Sequence, residues 1–186
     1  MKKIFRKAVF LDRDGVINKD LGHVGEIKRF YFIDGSIRAI KAIIGKGYLP
    51  IVVTNQAGIA KGYYSEKDFI NLTNYMNEQL KKSNIAPLNV YFCPYHPEAI
   101  LNKYKKDSND RKPNPGMILR AAHEHKIDLS NSFMVGDKYS DIIAGKSAKV
   151  MNNILIKSNK IKIKNVESAD YIFRNLLEFA LWLDSK

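Results

Sequence analysis

The sequence predicts an α/β fold, a mostly parallel sheet with helices on both faces. Three observations carry that prediction. Short apolar runs bounded by turn signals recur at residues 8–11, 49–53, 89–93, 132–135 and 153–156, as buried strands do. The segments between them hold apolar residues at helical spacing. The chain has 186 residues, 45% of them hydrophobic, enough for one full core and short of two comfortable ones. No repeat, low-complexity tract or linker divides it, so a single domain over residues 1–186 is expected.

The first run leads straight into Asp12-Arg13-Asp14-Gly15. That places Asp12 at the carboxyl end of a strand, where open parallel sheets hold ligands. Gly15 permits the sharp backbone departure that follows. Residues 18–30 show no clean period and read as a loop or flap above the strand end. Asp34 or Ser36 is placed to cap a helix with the stripe Ile37, Ile40, Ile43 and Ile44, ended by Gly45 and Gly47. The second strand ends in Thr54-Asn55-Gln56-Ala57-Gly58. Ser65, with Asp68 three positions on, spells a capping box for a helix bearing Phe69, Leu72, Tyr75, Met76 and Leu80.

A third strand at 89–93 leads into a polar, proline-punctuated loop over 94–113. Pro115-Gly116-Met117 opens a helix that ends near Lys126 and is expected to bury Ile118, Leu119 and Ala122. The fourth strand ends in Gly136-Asp137. A short helix over 139–148, strands at 153–156 and 171–173, and a closing helix at 176–183 complete the chain. This alternation predicts a three-layer, Rossmann-like arrangement. A cap domain would need a long insertion after Ile17 or Thr54, and neither gap is long enough.

Charge is the unusual bulk feature, with 31 Lys and Arg against 19 Asp and Glu, a net +12. Such a field suits a polyanion or steers a small phosphorylated substrate. The lysines are spread along the chain, densest at 103–106 and 157–164. No long basic block interleaved with aromatics appears, which argues against a nucleic-acid partner. No apolar run approaches membrane-spanning length. The basic start at residues 1–7 precedes an apolar run too short for a signal segment. The expectation is a cytoplasmic monomer with no membrane partner. Cys93 is the only cysteine, which excludes an intrachain disulfide.

Three strands thus end in polar signatures: Asp12-x-Asp14, Thr54-Asn55 and Gly136-Asp137. The basic Arg111-Lys112-Pro113 precedes a helix. The first signature alone also reads as a solvated Asp-Gly turn. If the strands are adjacent and parallel, three carboxylates, a hydroxyl and two cations converge on one edge. Carboxylates there suit Mg2+. Thr54, backbone amides and Lys112 suit phosphate oxygens. Together they suggest covalent phosphoryl transfer, one Asp acting as nucleophile and a second as acid, then base.

Asp12-Arg13-Asp14-Gly15-Val16-Ile17, Thr54-Asn55-Gln56, Arg111-Lys112-Pro113 and Gly136-Asp137-x-x-x-Asp141 resemble, in order and spacing, the four motifs of the haloacid dehalogenase-like phosphatases. Phe32-Ile33-Asp34-Gly35, Thr54-Asn55-Gln56-Ala57-Gly58-Ile59-Ala60 and Cys93-Pro94-x-His96-Pro97 are similar to the capless heptose bisphosphate phosphatases, which share a branch with histidinol phosphatases. The likeness thins after Ala148.

The resemblance implies a Mg2+-dependent phosphatase that removes the 7-phosphate of D-glycero-D-manno-heptose 1,7-bisphosphate through an aspartyl-phosphate, in nucleotide-heptose synthesis. It makes Asp12 the nucleophile and a Mg2+ ligand. Asp14 becomes the acid/base and lends the metal its backbone carbonyl. Asp137 completes the metal site, with Asp141 behind it. Thr54 holds the transferring phosphoryl group, Lys112 offsets its charge, and Arg111 and Lys138 contact substrate. Asp20, Leu21, Gly22 and His23 in the flap, with Asn55, Gln56 and Ala57, shape the sugar site. One departure stands out. This branch often binds a structural zinc through Cys-x-His and Cys-x-Cys. The matching positions here are Cys93, Tyr95, Ser108 and Asp110, so no zinc is expected. The loop is then held by prolines and local hydrogen bonds, or is mobile. The rival readings are a histidinol-phosphate phosphatase, a polynucleotide 3′-phosphatase, and a non-enzymatic receiver-like phosphoacceptor or nucleic-acid-binding domain.

Overall fold

A computed structural model describes residues 5–157 and 168–185. The lysine-rich stretch noted at 157–164 and the basic start fall largely outside them. In chain order the elements are β1 (Lys7–Leu11), α1 (Ser36–Gly45), β2 (Tyr48–Asn55), α2 (Ala57–Ala60), α3 (Glu66–Lys82), β3 (Asn89–Cys93), α4 (Gly116–His125), β4 (Phe133–Gly136), α5 (Tyr139–Ser147), β5 (Asn152–Ile156), β6 (Tyr171–Phe173) and α6 (Leu176–Asp184).

The strands form one sheet in the order β3-β2-β1-β4-β5-β6, every pair parallel. The chain walks outward from β1 to β3, returns beside β1 as β4, and walks outward the other way. That reversal leaves a crevice at the carboxyl ends of β1 and β4. Leu11 pairs with Val135, so Asp12 and Asp137 leave neighbouring strands within a residue of the same level.

Strand alternation divides the core in two. Val9 and Leu11 pack with Ile40 and Ile43 of α1, Leu72 and Met76 of α3, and Phe179 of α6. Ala8 and Phe10 point to the other face and meet Met117, Ile118 and Ala121 of α4 and Ala144 of α5. No segment between elements builds a separate cap among the described residues. No helix among them is long and apolar enough to cross a membrane.

The capping box at α3 forms as expected. Ser65 Oγ accepts the Asp68 N–H at 3.1 Å, and Asp68 accepts the Ser65 N–H at 2.8 Å. The start of α1 differs from the expectation. Neither Asp34 nor Ser36 caps it; Gly35 does, at φ 82°, and Ser36 is a buried first helical residue. A Cβ on Gly35 would come within 2.7 Å of Leu177, so tight packing on α6 sets this helix start. Its buried stripe is Ala39, Ile40 and Ile43, and Ile44 is exposed. In α4 the buried residues are Met117, Ile118 and Ala121, while Leu119 is exposed and Ala122 only partly covered. The Gly116 N–H bonds Asn109 O at 2.9 Å, and that anchor sets the phase of the helix.

Gly136 is where α5 presses on β4, and a Cβ there would lie 2.1 Å from Asp141 Cβ. Gly136→Ala is expected to destabilise the protein by about 1–3 kcal/mol through overpacking. Gly45→Ala, in a helix end with open space around it, is expected to stabilise by about 0.5–1 kcal/mol. Urea denaturation midpoints of the two variants test the contrast.

Candidate active site

Lys112 arrives on the loop before α4, inserts its side chain behind β1 and β2, and is buried there. Its Nζ lies 2.9 Å from Asp12 Oδ1 and 2.7 Å from Asp141 Oδ1, and donates to Val53 O at 2.7 Å. Those three partners match the three hydrogens of an ammonium. Burial alone would raise the Asp12 carboxyl, but Lys112, Lys138 and the Arg13 N–H outweigh it and hold it below the ordinary value. Burial would lower Lys112, and Asp12 and Asp141 reverse that.

Asp137 has no such partner. Among the described residues its buried Oδ1 makes no hydrogen bond, and the nearest cation is Lys138 Nζ at 3.5 Å. Burial, then the Asp12 charge, pushes its carboxyl up to about 7. Oxygens of Asp12, Asp137 and Asp141 all lie within 4.8 Å of one another. Asp141 is committed on both sides, to Lys112 and to the Lys138 N–H at 2.9 Å. Asp12 bonds Lys112 and the Arg13 N–H through Oδ1. Two crowded carboxylates, one with an orphaned buried oxygen, are a donor set that fits a hard divalent cation. Gly15 lets them approach: its φ is 92°, and a Cβ would sit 2.3 Å from Asp137 Oδ2.

Asp14 is held from three sides. Arg13 spans it at 2.9 and 3.0 Å, Asn18 donates at 2.8 Å and Gln56 at 3.2 Å. The same guanidinium, 1% exposed, donates to Val24 O at 2.5 Å and lies over Phe69. Arg13 therefore ties the flap to the site. Sequence reasoning passed over it; an arginine between two aspartates at the end of a buried strand was the available signal.

A cavity of about 530 Å3 opens above these groups. Of the expected residues, Asp14, Asp20, Gly22, His23, Asn55, Gln56, Ala57, Arg111, Lys112 and Lys138 line it, joined by Tyr64 and Ser140. Asp12 and Thr54 are buried one contact away, on Lys112 and Gln56, and Asp137 lies beside Lys138. Two other hollows, of about 640 and 670 Å3, bring no more than one carboxylate each. Leu21 stands outside the cavity and gives its carbonyl to Arg29 at 2.8 Å, bracing the flap. Asn55 clamps the Lys112 backbone in both directions, at 2.9 and 3.0 Å. Gln56 spends its amide on protein partners. Burial, then Lys61, holds the His23 imidazole below its ordinary value.

The four positions matching the zinc ligands do other work. Cys93 is buried with its thiol on Tyr95 O, and Tyr95 packs against Tyr104. Ser108 Oγ accepts the Asp110 N–H at 3.2 Å, and Asp110 pairs with Arg120 at 2.8 Å. Arg111 bonds Tyr95 O at 3.4 Å, and the buried Tyr104 donates to Glu66 at 2.7 Å. Among the described residues, Asp12, Asp137 and Asp141 are the one His/Cys/Asp/Glu group placed to hold a metal.

A parallel sheet with its switch point at β1 and β4, and an aspartate paired to a buried lysine there, are the arrangement that the resemblance to haloacid dehalogenase-like phosphatases implies. The HAD-hyrolase-like family model matches residues 109–179. The chain is 45% identical over 174 residues to the D-glycero-beta-D-manno-heptose-1,7-bisphosphate 7-phosphatase of Pasteurella multocida, covering 93% of this chain and 94% of that protein. It is 53% identical over 150 residues to the D-glycero-alpha-D-manno-heptose-1,7-bisphosphate 7-phosphatase of Burkholderia mallei, covering 81% and 79%. The structure of D,D-heptose 1,7-bisphosphate phosphatase from B. bronchiseptica, complexed with magnesium and phosphate, superposes with a TM-score of 0.82 at 23% identity, over 96% of this chain and 98% of that one. The chain belongs to the heptose-1,7-bisphosphate 7-phosphatase family of haloacid dehalogenase-like hydrolases.

Lys112→Met leaves Asp12 and Asp141 buried without their cation. The expected cost at pH 8 is about 3–5 kcal/mol. The two carboxyls would then titrate above their unfolded values, so the deficit shrinks as pH falls and they take up protons. Urea melts at pH 8 and pH 5 check both the size and the sign.

Proposed function

We propose that this protein is a Mg2+-dependent phosphatase that removes the 7-phosphate of D-glycero-D-manno-heptose 1,7-bisphosphate. The observation that carries the reading is the buried Asp12–Lys112 pair, 2.9 Å apart, facing Asp137 at the edge of a cavity whose wall includes Arg111 and Lys138. The relatives at 45% and 53% identity supply the substrate.

In this reading Asp12 and Asp137, with the Asp14 main-chain carbonyl, would hold Mg2+, and Asp141 stands behind. The ion, when bound, offsets the charge of carboxylate and phosphate so that they can approach. An Asp12 oxygen attacks phosphorus; the new O–P bond forms as the bond to the sugar oxygen breaks. Asp14 gives that oxygen a proton. Now ionised, Asp14 takes a proton from water, whose oxygen attacks phosphorus and releases phosphate and free Asp12. Thr54 donates to a phosphoryl oxygen, and Lys112 supplies fixed positive charge beside it.

The rest of the cavity suits a second anionic group on a polyol. Arg111 and Lys138 supply positive charge, and a neutral imidazole at His23 suits a hydroxyl. Lys138 sits 3.6 Å from Asp20, which leaves the rim a poor host for the amine of histidinol phosphate.

Phosphate release from both heptose anomers, histidinol phosphate and a 3′-phosphorylated oligonucleotide tests the substrate. Turnover of a heptose bisphosphate in preference to the others is expected; preference for another substrate overturns the assignment. Asp12→Asn is expected to lose turnover on the order of 10^4-fold or more with its fold intact.

Asp137 adds a pH signature. Its carboxyl is raised to about 7, so the metal-free folded state loses stability as pH climbs from the unfolded value toward 7. A cation that takes the proton's place recovers that loss. The rise in melting temperature on adding Mg2+ is therefore expected to be larger at pH 8 than at pH 5.5. Equal shifts would count against Asp137 as a ligand.

A further inference from the structure

The flap and the turn after β2 meet on one side chain outside the four motifs. Tyr64 fills a slot between Gly25 and Gly58; a Cβ on either glycine would lie 2.1 or 2.3 Å from its ring. Its hydroxyl donates to Gln56 Oε1 at 2.6 Å. Gln56 Nε2 donates to Thr54 Oγ1 at 2.8 Å and to Asp14 Oδ2 at 3.2 Å. The partners fix which end of the amide is which. Asp14 Oδ2 already accepts from Arg13 at 2.9 Å, so the amide nitrogen faces it and the amide oxygen faces the phenol. Gln56 is 1% exposed, and both its N–H groups are spent inside the protein.

We propose that Tyr64 is a positioning residue for the phosphatase reaction: it locks the Gln56 amide, and Gln56 in turn aims the Thr54 hydroxyl and steadies the Asp14 carboxyl. The inference rests on the function proposed above. Its chemistry follows from hydrogen-bond inventory. A threonine hydroxyl has one hydrogen. Because Thr54 Oγ1 accepts from Gln56, that hydrogen is left to donate to a phosphoryl oxygen. Gln56 is the one hydrogen-bond partner of Thr54 Oγ1 among the described residues. Asp14 has Arg13 and Asn18 as well, so Thr54 depends on the relay more than Asp14 does. Burial pushes the Tyr64 hydroxyl above its ordinary value, so it stays a donor at working pH. Packed between two glycines, the ring holds its place without the hydroxyl, so Tyr64→Phe separates the hydrogen bond from the packing.

The test combines Tyr64→Phe with Gln56→Leu and, as a second background, Thr54→Val. Two quantities are read: kcat on the heptose bisphosphate, and the affinity for inorganic phosphate in Mg2+ buffer by calorimetry. Tyr64→Phe alone is expected to lower kcat about tenfold and weaken phosphate binding severalfold, with a fall of only a few degrees in the thermal midpoint for the acceptor left buried on Gln56. In either background the same substitution is expected to add no further loss of phosphate affinity, because the relay is already cut. Wild-type kcat and phosphate affinity in Tyr64→Phe would overturn the proposal. So would full, additive losses in both backgrounds, which would mean that Tyr64 acts by another route. If wild type fails to turn over the heptose bisphosphate, the functional reading falls, and phosphate calorimetry still decides the relay.

Discussion

A buried ammonium between two buried carboxylates is the constraint on which the site rests. Lys112 touches Asp12, Asp141 and the Val53 carbonyl, and all three charged groups are shut from solvent. Taking such groups out of water is costly, and the cost is offset only when every one of them is paired. The pairing fixes more than charge. It holds the loop of Lys112 against β2, the start of α5 against β4, and the end of β1 between them. Asp137 is left out of the arrangement. Once Asp137 ionises, three carboxylates face Lys112 and the half-exposed Lys138, so the floor of the site, below Arg111 in the cavity wall, carries excess negative charge, the wrong sign for a phosphate ester. A divalent cation reverses that sign. The need for metal can thus be argued from the charges before any likeness to other proteins is invoked.

The sheet explains why these groups meet at all. Asp12 and Asp137 are far apart in sequence and come from strands that became neighbours when the chain reversed direction. Parallel strands put all their carboxyl ends on one edge, and the reversal opens a gap in the helical layers there. Glycines then set how close the carboxylates come. Side chains at Gly15 and Gly136 would strike Asp137 and Asp141.

Much of this was legible, and the reason is local. Strand ends announce themselves as apolar runs that stop at a polar residue, so Asp12, Thr54 and Asp137 could be placed on one edge from pattern alone. The Ser65–Asp68 box is likewise a short-range signal. What could not be read depends on tertiary packing. Gly35 displaces Asp34 and Ser36 as the cap of α1 because α6 lies against it. The phase of α4 follows from a backbone bond to Asn109. Arg13 is charged, and charge suggests a surface; only the fold shows Asp14, Val24 and Phe69 closing around it. Tyr64 has no motif to mark it, and its meaning depends on two glycines distant from each other in sequence. Gln56 was legible as a site residue, but its bonds to Tyr64, Thr54 and Asp14 were not.

The loop over 94–113 delivers Arg111 and Lys112, so its rigidity bears directly on the chemistry. Ordinary side chains supply that rigidity. Tyr104 reaches α3 through Glu66, Asp110 is pinned to Arg120 on α4, and Asn114 bonds the Ser108 carbonyl at 3.1 Å. Each tie is modest alone, about 1 kcal/mol for a typical hydrogen bond and less for an exposed ion pair. They anchor the loop to α3 and α4, and Asn55 fixes Lys112 itself from the sheet. Distributed ties of this kind locate Lys112 from three directions at once. That is what a lysine serving two buried carboxylates requires: a displacement of even an ångström would leave one of the carboxylates buried and unpaired.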